Sequence, residues 1–204
     1  MITPSLNEVA KKMHDAARGA GWPQGIAAEI GAAAAWLSAQ GANGVGIALD
    51  ALQSAPSPVE AWQNGDDIWR IGPGPVALVG PSALDLALTG DGPVCMTLDD
   101  SPALFLGFAG WASTQTEQRI TLDGAIAAQI DAGHLLGAPH NDPARRDILI
   151  TLQPGMAQHP PGLGRQTPGA TAWTEAESFA AKTRVPTTET SRTRGAGADG
   201  IDAD

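Results

Sequence analysis

Five residues near the end of the chain suit the binding of a small anion. They are Arg184, Glu189, Ser191, Arg192 and Gly195. An arginine guanidinium is a planar fork that matches a carboxylate or a phosphate, and serine and glutamate add a hydroxyl and an acceptor. A glycine lets backbone amides approach a bound anion closely. These residues predict a ligand site in which Arg192 binds the anion and Glu189 orients it or accepts a proton.

The C-terminal segment, defined as residues 184–204, differs in charge from the chain that precedes it. Twelve basic and twenty-two acidic residues give the whole chain a net charge of −10. Residues 61–110 hold one Arg against six Asp, whereas residues 182–204 hold four basic and four acidic groups. A segment that docks on its own acidic domain is therefore electrostatically reasonable. Its composition of Thr, Ser, Gly, Ala and Asp equally predicts a disordered end.

The overall charge and hydropathy exclude several classes of partner. An acidic chain opposes approach to nucleic acid and to anionic membrane surfaces. No window approaches the roughly 18 apolar residues of a membrane helix, and residues 1–10 lack a signal-peptide core. Cys95 is the one cysteine, so no internal disulfide can form. We expect a soluble, cytoplasmic protein that binds neither nucleic acid nor membrane.

A second group of polar residues follows a predicted strand. Asp99, Asp100 and Ser101 lie where α/β folds place ligand-facing loops, so they suit acid/base work or a divalent cation. The alternative is a polar turn before Pro102, in which these side chains bind local amides. Both interpretations stay open.

The remaining chemistry-bearing residues carry weaker signals. His134 and His140 are separated by Gly137 and Pro139, which rules out the paired spacing of a helical metal site. The chain also lacks the glycine-rich phosphate loop and the nucleophile elbow. We therefore expect no metal and no cofactor, and the catalytic residues, if there are any, are unknown.

Helical signals dominate the first sixty residues. Ser5-Leu6-Asn7-Glu8 has the form of a capping box, and Pro23 suits the first turn of a second helix. A third helix is predicted from residue 45 to 53, and Ser57-Pro58-Val59-Glu60 repeats the capping signature. These segments predict a helical hairpin with additions.

Strand signals begin near residue 67. Short apolar runs rich in β-formers predict strands at residues 68–71, 75–79, 94–98, 118–122 and 147–152. Helices are expected at 82–88, from Asp123 to about residue 136, and from Thr174 to about residue 182, while residues 103–111 suit either element.

The order of these elements predicts an α/β or α+β fold in two layers. In it, an N-terminal helical hairpin packs on a short-stranded mixed sheet and the C-terminal segment is ordered. We expect one domain over residues 1–183. Its parts are a helical portion at 1–63, a sheet-containing portion at 67–152, a loop at 153–170 and a helix at 171–183, followed by the Gly/Ala/Arg-containing segment at 184–204.

Both ends of the chain resemble one family. Arg184 to Arg192 reads Arg-Val-Pro-Thr-Thr-Glu-Thr-Ser-Arg and is followed by Gly195-Ala196-Gly197, and residues 16–23 read Ala-Ala-Arg-Gly-Ala-Gly-Trp-Pro. With the opening capping box, these motifs resemble the uncharacterised bacterial family known as domain of unknown function 3726. The family label carries no activity. The resemblance implies that the C-terminal segment is docked rather than loose.

Two functional hypotheses follow. The first is a soluble bacterial protein of small-molecule metabolism that binds a small anionic metabolite through the C-terminal residues named above. The second is a non-catalytic accessory subunit whose C-terminal segment docks on a partner enzyme, and a homo-oligomer is also compatible with the sequence. A third role, in which the segment seals the protein's own sheet, is purely structural.

Overall fold

The computed structural model describes residues 3–90, 92–156 and 166–183, which form an α+β fold. Its helices are α1 (Leu6–Gly19), α2 (Gln24–Ala39), α3 (Gly44–Ala51), α4 (Val76–Thr89), α5 (Ala103–Thr116) and α6 (Ala170–Ala181). Its strands are β1 (Ala61–Gln63), β2 (Trp69–Gly74), β3 (Val94–Leu98), β4 (Gln118–Gly124), β5 (Ile126–Asp131), β6 (His134–Leu135), β7 (His140–Asn141) and β8 (Asp147–Pro154). Across these three stretches of chain, no helix is long and apolar enough to span a bilayer.

The described strands form one mixed sheet in the order β1-β2-β3-β8-β4-β5-β6, with β7 also paired to β5. Strands β2 and β3 run parallel and are joined by α4, whereas β3, β8, β4 and β5 pair antiparallel in turn. The predicted combination of N-terminal helices with a short-stranded mixed sheet is therefore confirmed.

The helices cover the sheet in a definite order. Helices α4 and α5 pack directly on the strands, and α2 packs on α5. Helix α1 lies between α2 and α6, and α3 contacts α2, α5 and α6. The N-terminal hairpin thus reaches the sheet mainly through α4 and α5.

The first helix begins where its capping box predicts. The Glu8 amide donates to Ser5 Oγ at 3.2 Å, and the Ser5 amide donates to Glu8 Oε2 at 2.6 Å. These two bonds satisfy amides that have no partner within the helix. The local sequence is therefore sufficient to fix this terminus.

The strand predicted at residues 75–79 is wrong, because these residues begin helix α4. The Val76 amide donates to Asp100 Oδ1 at 2.8 Å, so a carboxylate from the loop after β3 caps this helix. A cap that lies 24 residues away leaves no local signal. The β-forming side chains and the Gly-Pro pair therefore predicted the wrong element.

The helix predicted from Asp123 is also wrong, since that stretch forms β5 and β6. Gly124 has a φ of +133°, and a Cβ there would overlap the Asp147 carbonyl oxygen. Glycine alone adopts this conformation easily. It permits the tight turn that returns β5 along β4.

Two smaller differences concern helix starts. The capping signature at residues 57–60 precedes strand β1 rather than a helix, and α6 begins at Ala170, so Thr174 lies within it. Part of the loop predicted at 153–170 falls outside the described residues, and the division of the chain into domains stays a prediction.

Small residues bring α2 close to its neighbours. A Cβ on Gly31 would lie 2.5 Å from the Ala10 carbonyl oxygen of α1, and a Cβ on Gly107 of α5 would lie 2.7 Å from the Ala33 oxygen. Ala33 and Ile30 are fully buried at these contacts. Larger side chains would push the helices apart, because buried backbone cannot yield without losing packing.

We expect Gly107→Ala to lower the free energy of unfolding by about 1–3 kcal/mol, because the added methyl group overpacks the α2–α5 contact. Urea denaturation followed by circular dichroism measures the change. Gly25→Ala is the matched control, since a Cβ at that helical position meets nothing within 4 Å. Equal effects of the two substitutions would contradict the close-packing argument.

A largely buried ion pair links strands β4 and β5 of the sheet. Arg119 and Asp131 are cross-strand partners on β4 and β5, and Arg119 Nη2 donates to Asp131 Oδ2 at 2.6 Å. The Met156 amide also donates to this carboxylate, at 3.1 and 3.2 Å. The hydrogen bond from Arg119 lowers the pKa of Asp131, although burial opposes the shift and the Met156 amide supports it. The pair ties β4, β5 and the residues after β8 together.

The lowered pKa of Asp131 fixes the sign of a pH effect. Ionised Asp131 stabilises the fold above the ordinary pKa of aspartate, near 3.9, and this contribution is lost as the pH falls through the lowered folded value. We expect Asp131→Asn to lower the melting temperature at pH 7 and to cost less as the solution is acidified. Thermal melts from pH 7 to pH 3, with the exposed Asp50→Asn as control, measure the difference. A cost of Asp131→Asn that does not change with pH would contradict the linkage.

Candidate functional site

The anion site predicted from the sequence cannot be located in the fold. Arg184, Glu189, Ser191, Arg192 and Gly195 all lie outside the described residues. The described chain ends at Thr183, just after α6. The described residues form cavities and polar clusters of their own.

A groove lies over α2, bounded by α1 on one side and α5 on the other, with a volume of about 640 Å³. This volume falls within the range of small-molecule sites. We call it the α2 groove, and its lining residues are Leu6, Asn7, Ala10, Lys11, His14, Ala28, Ala32, Ala35, Trp36, Ala39, Trp111 and Thr114.

The floor of the α2 groove is a row of alanines. Ala28, Ala32, Ala35 and Ala39 recur at spacings of four, three and four, so they share one face of the helix. Over eleven residues at 1.5 Å each, the row is about 16 Å long. A long, shallow and apolar floor results, because no side chain on this face extends beyond a methyl group.

Tryptophan side chains form part of the groove walls. Trp36 is 7% exposed, and its indole Nε1 donates to the Gly133 carbonyl oxygen at 2.9 Å. Gly133 follows β5 at a φ of +80°, and its own amide donates to Ser113 Oγ of α5 at 3.0 Å. Trp111 of α5 is half-buried on the same groove. The wall is thus held by hydrogen bonds as well as by packing.

Polar side chains lie on the α1 rim of the groove. Lys11 Nζ is 3.5 Å from Asp15 Oδ2, with 80% of the lysine side chain exposed. His14 Nδ1 is 3.0 Å from Asp15 Oδ1, and its Nε2 is 2.9 Å from Gln24 Nε2. Burial raises the pKa of Asp15, but the hydrogen bond with His14 and the charge of Lys11 outweigh it and lower the pKa overall. An ammonium and an imidazole therefore border an otherwise apolar groove.

A second cavity, which we call the Glu29 cleft, lies between α2, α4 and α5 and has a volume of about 450 Å³. Burial raises the pKa of Glu29, and the negative charge of Asp85 on α4 raises it further. Apolar side chains make up most of the rest of its lining: Pro23, Ile26, Pro81, Leu84, Leu88, Phe108, Trp111 and Ala112. Trp111 thus separates this cleft from the α2 groove.

The Asp99–Ser101 loop is built into the fold. Asp100 Oδ1 caps α4, and Ser54 Oγ donates to Asp100 Oδ2 at 2.8 Å. Ser101 Oγ accepts a long hydrogen bond of 3.4 Å from the Ala103 amide. The local-turn interpretation therefore describes Ser101, whereas Asp100 accepts from distant groups and links the loop after β3 to α4 and to Ser54.

A smaller cleft of about 350 Å³ opens beside this loop at the start of α5. Arg145 and Arg146 line it together with Ser101, Asn141 and Asp142. Arg145 is already engaged by Asp147 at 3.3 Å and by Asp123 at 3.9 Å. The cleft therefore offers an anion less net positive charge than its arginines imply.

The histidines and the cysteine lie apart. His134 and His140 fall on β6 and β7, both of which pair with β5, and Cys95 is half-buried on β3. Burial raises the pKa of the Cys95 thiol, and the nearby Asp147 carboxylate adds to the shift. Within residues 3–90, 92–156 and 166–183, no group of three His, Cys, Asp or Glu side chains could hold a metal ion.

Comparison with known families gives one match. Residues 4–55 match a family described as Protein of unknown function (DUF3726), which confirms the predicted resemblance for the N-terminal end of the chain. The matched region contains α1, α2 and α3, and so includes the floor and one wall of the α2 groove. No curated protein and no solved structure matches the chain.

The groove was missed from the sequence, although α2 carries a signal for it. On α2, Ile26, Ile30, Ala33, Ala34 and Leu37 form one apolar side at helical spacing, and the opposite face carries small side chains. That face is apolar as well, since it carries the alanine row. A helix that is apolar all round requires contacts on every side, so a partly exposed apolar face marks a binding surface.

We expect Trp36→Phe to lower the free energy of unfolding by about 1–3 kcal/mol, because the Gly133 carbonyl loses its donor and the wall loses volume. Trp62→Phe is the control, since Trp62 is 38% exposed and its replacement should change stability by about 0.5 kcal/mol at most. Urea denaturation measures both. Similar losses in the two variants would mean that the Trp36 hydrogen bond contributes nothing specific.

Proposed function

We propose that this protein binds a small organic anion with an extended apolar body, such as a medium-chain carboxylate, in the α2 groove. The apolar body lies along the alanine row, and the carboxylate faces Lys11 and His14. The observation that carries the proposal is the groove itself, which combines an apolar floor about 16 Å long with a rim that carries Lys11 and His14, both in contact with Asp15.

The free energies expected from the alanine floor and from Lys11 differ, so the two parts of the site have different roles. Each methylene group removed from water contributes about 0.8 kcal/mol, so six of them contribute about 5 kcal/mol. An exposed ion pair with Lys11 adds about 1 kcal/mol at most. Apolar contact therefore supplies the affinity, whereas Lys11 selects an anionic head group and sets its direction.

This proposal keeps the class of ligand expected from the sequence but relocates its main contacts. A contribution from Arg184, Glu189, Ser191, Arg192 and Gly195 to the same anion stays a prediction. So does the alternative of an accessory subunit whose C-terminal segment docks on a partner enzyme. We place the protein in the bacterial cytoplasm, on the resemblance to a bacterial family and the unpaired Cys95, and the charge of −10 argues against a nucleic-acid partner.

The groove supplies its own reporter, because Trp36 and Trp111 line it. We expect dodecanoate to change the tryptophan fluorescence of the full chain in a saturable titration. Ala32→Leu should raise the Kd at least tenfold, since the larger side chain fills the floor. The helical and exposed Ala181→Leu is the matched control and should leave the Kd unchanged.

The charge contribution is tested separately with a neutral ligand. Lys11→Gln should raise the Kd for dodecanoate about two- to fivefold, which corresponds to a weak exposed ion pair. The same substitution should leave dodecanol binding unchanged, and Arg18→Gln on the same helix should affect neither ligand.

Two results would contradict the proposal. One is a fluorescence response that Ala32→Leu and Ala181→Leu alter equally, since the ligand would then bind outside the groove. The other is the absence of any saturable response, together with a co-purifying protein that deletion of residues 184–204 releases. That result would favour the accessory-subunit function.

A further inference from the structure

The Glu29 cleft presents negative charge and apolar surface together. None of the ion pairs between described residues involves Glu29 or Asp85. Both carboxylates line the cleft. Burial raises the pKa of Glu29, and repulsion from the Asp85 carboxylate raises it further. An occupant that carries cations beside an apolar side chain would satisfy both parts of this cavity.

The chain contains such an occupant. Residues 184–194 hold three arginines against the single acidic residue Glu189, in a chain whose net charge is −10. Val185 and Pro186 directly follow the first arginine, which places an apolar pair next to a cation. This composition complements the cleft in charge and in polarity.

The C-terminal end of α6 lies close to the Glu29 cleft in space. A Cβ on Gly19 would overlap the Phe179 carbonyl oxygen, so the last turn of α6 touches the end of α1. Pro23, which lines the cleft, follows Gly19 by four residues, or about 14 Å at full extension. Residues 179–183 are held in the last turn of α6. The nine residues from Thr183 to Arg192 can span about 30 Å. The connection is therefore long enough.

We infer that residues 184–194 of this chain dock in its own Glu29 cleft. Val185 and Pro186 lie toward the Pro23 end of the cleft, which the chain reaches first, and Arg192 and Arg194 face Glu29 and Asp85. This contact is independent of the ligand proposed above, although it covers Trp111 from the side opposite the α2 groove.

Carbodiimide cross-linking of the full chain tests the contact, because it joins a carboxylate to a neighbouring amine through an amide bond. The segment lacks lysine, so Arg184→Lys, Arg192→Lys and Arg194→Lys each introduce one amine without changing charge. We expect mass spectrometry to find at least one of these positions joined to Glu29 or Asp85 in a species of single-chain mass.

Neutralising the cleft provides the specificity control. Glu29→Gln combined with Asp85→Asn should reduce the yield of that cross-link at least tenfold. Glu60→Gln combined with Asp67→Asn, an exposed pair outside the cleft, should leave the yield unchanged. Melting temperatures of both double variants check that the fold is retained.

Three results would overturn the inference. They are links from the introduced lysines only to other carboxylates, links found only in a species of twice the chain mass, and no link from any of the three positions. The second result would assign the segment to another copy of the chain. None of them bears on dodecanoate binding in the α2 groove, so the two proposals can fail separately.

Discussion

Close approach of other helices to α2 is the constraint on which the rest of the structure depends. Gly31 lets α1 approach it and Gly107 lets α5 approach it, while a Cβ on Gly44 would overlap the Ala34 carbonyl oxygen at the α3 contact. Since α5 packs on the sheet, α2 connects the N-terminal helices to the strands. The chain has few aromatic residues, with three Phe and six Trp, so small side chains and short interhelical distances must build this core.

The α2 groove follows from the same composition. A helix made largely of alanine packs closely on the faces that its neighbours cover, and it leaves a shallow apolar channel on the face that they do not. The bulk at that channel comes from Trp36 and Trp111, and one end of its rim is polar. The close packing of α2 and its exposed apolar surface therefore both follow from its high alanine content. Helix α2 lies wholly within the region that matches the family.

Local signals predicted several elements correctly where the groups that fix them are adjacent in sequence, although the capping signature at residues 57–60 precedes a strand. The capping box of Ser5 and Glu8 is one example, and the alternating strand at β8 is another. The predictions were wrong where the decisive group is distant. Asp100 caps α4 from another loop, and the Asp147 carbonyl of β8 lies so close to Gly124 that only a glycine fits at the turn between β4 and β5. The candidate site was unpredictable for the same reason, because the groove exists only where α1 and α5 flank α2.

The sequence by itself determined the fold class, the start of α1, the acidic charge and the resemblance to a family of unknown function, because each depends on composition or on neighbouring residues. It also identified Arg184 and Arg192 as candidate anion-binding residues from their residue type, but it did not indicate which group either one contacts. The tertiary structure decided where apolar surface stays uncovered and which carboxylates face each other. Glu29 and Asp85 lie 56 residues apart on different helices, so only packing could bring them into one cleft.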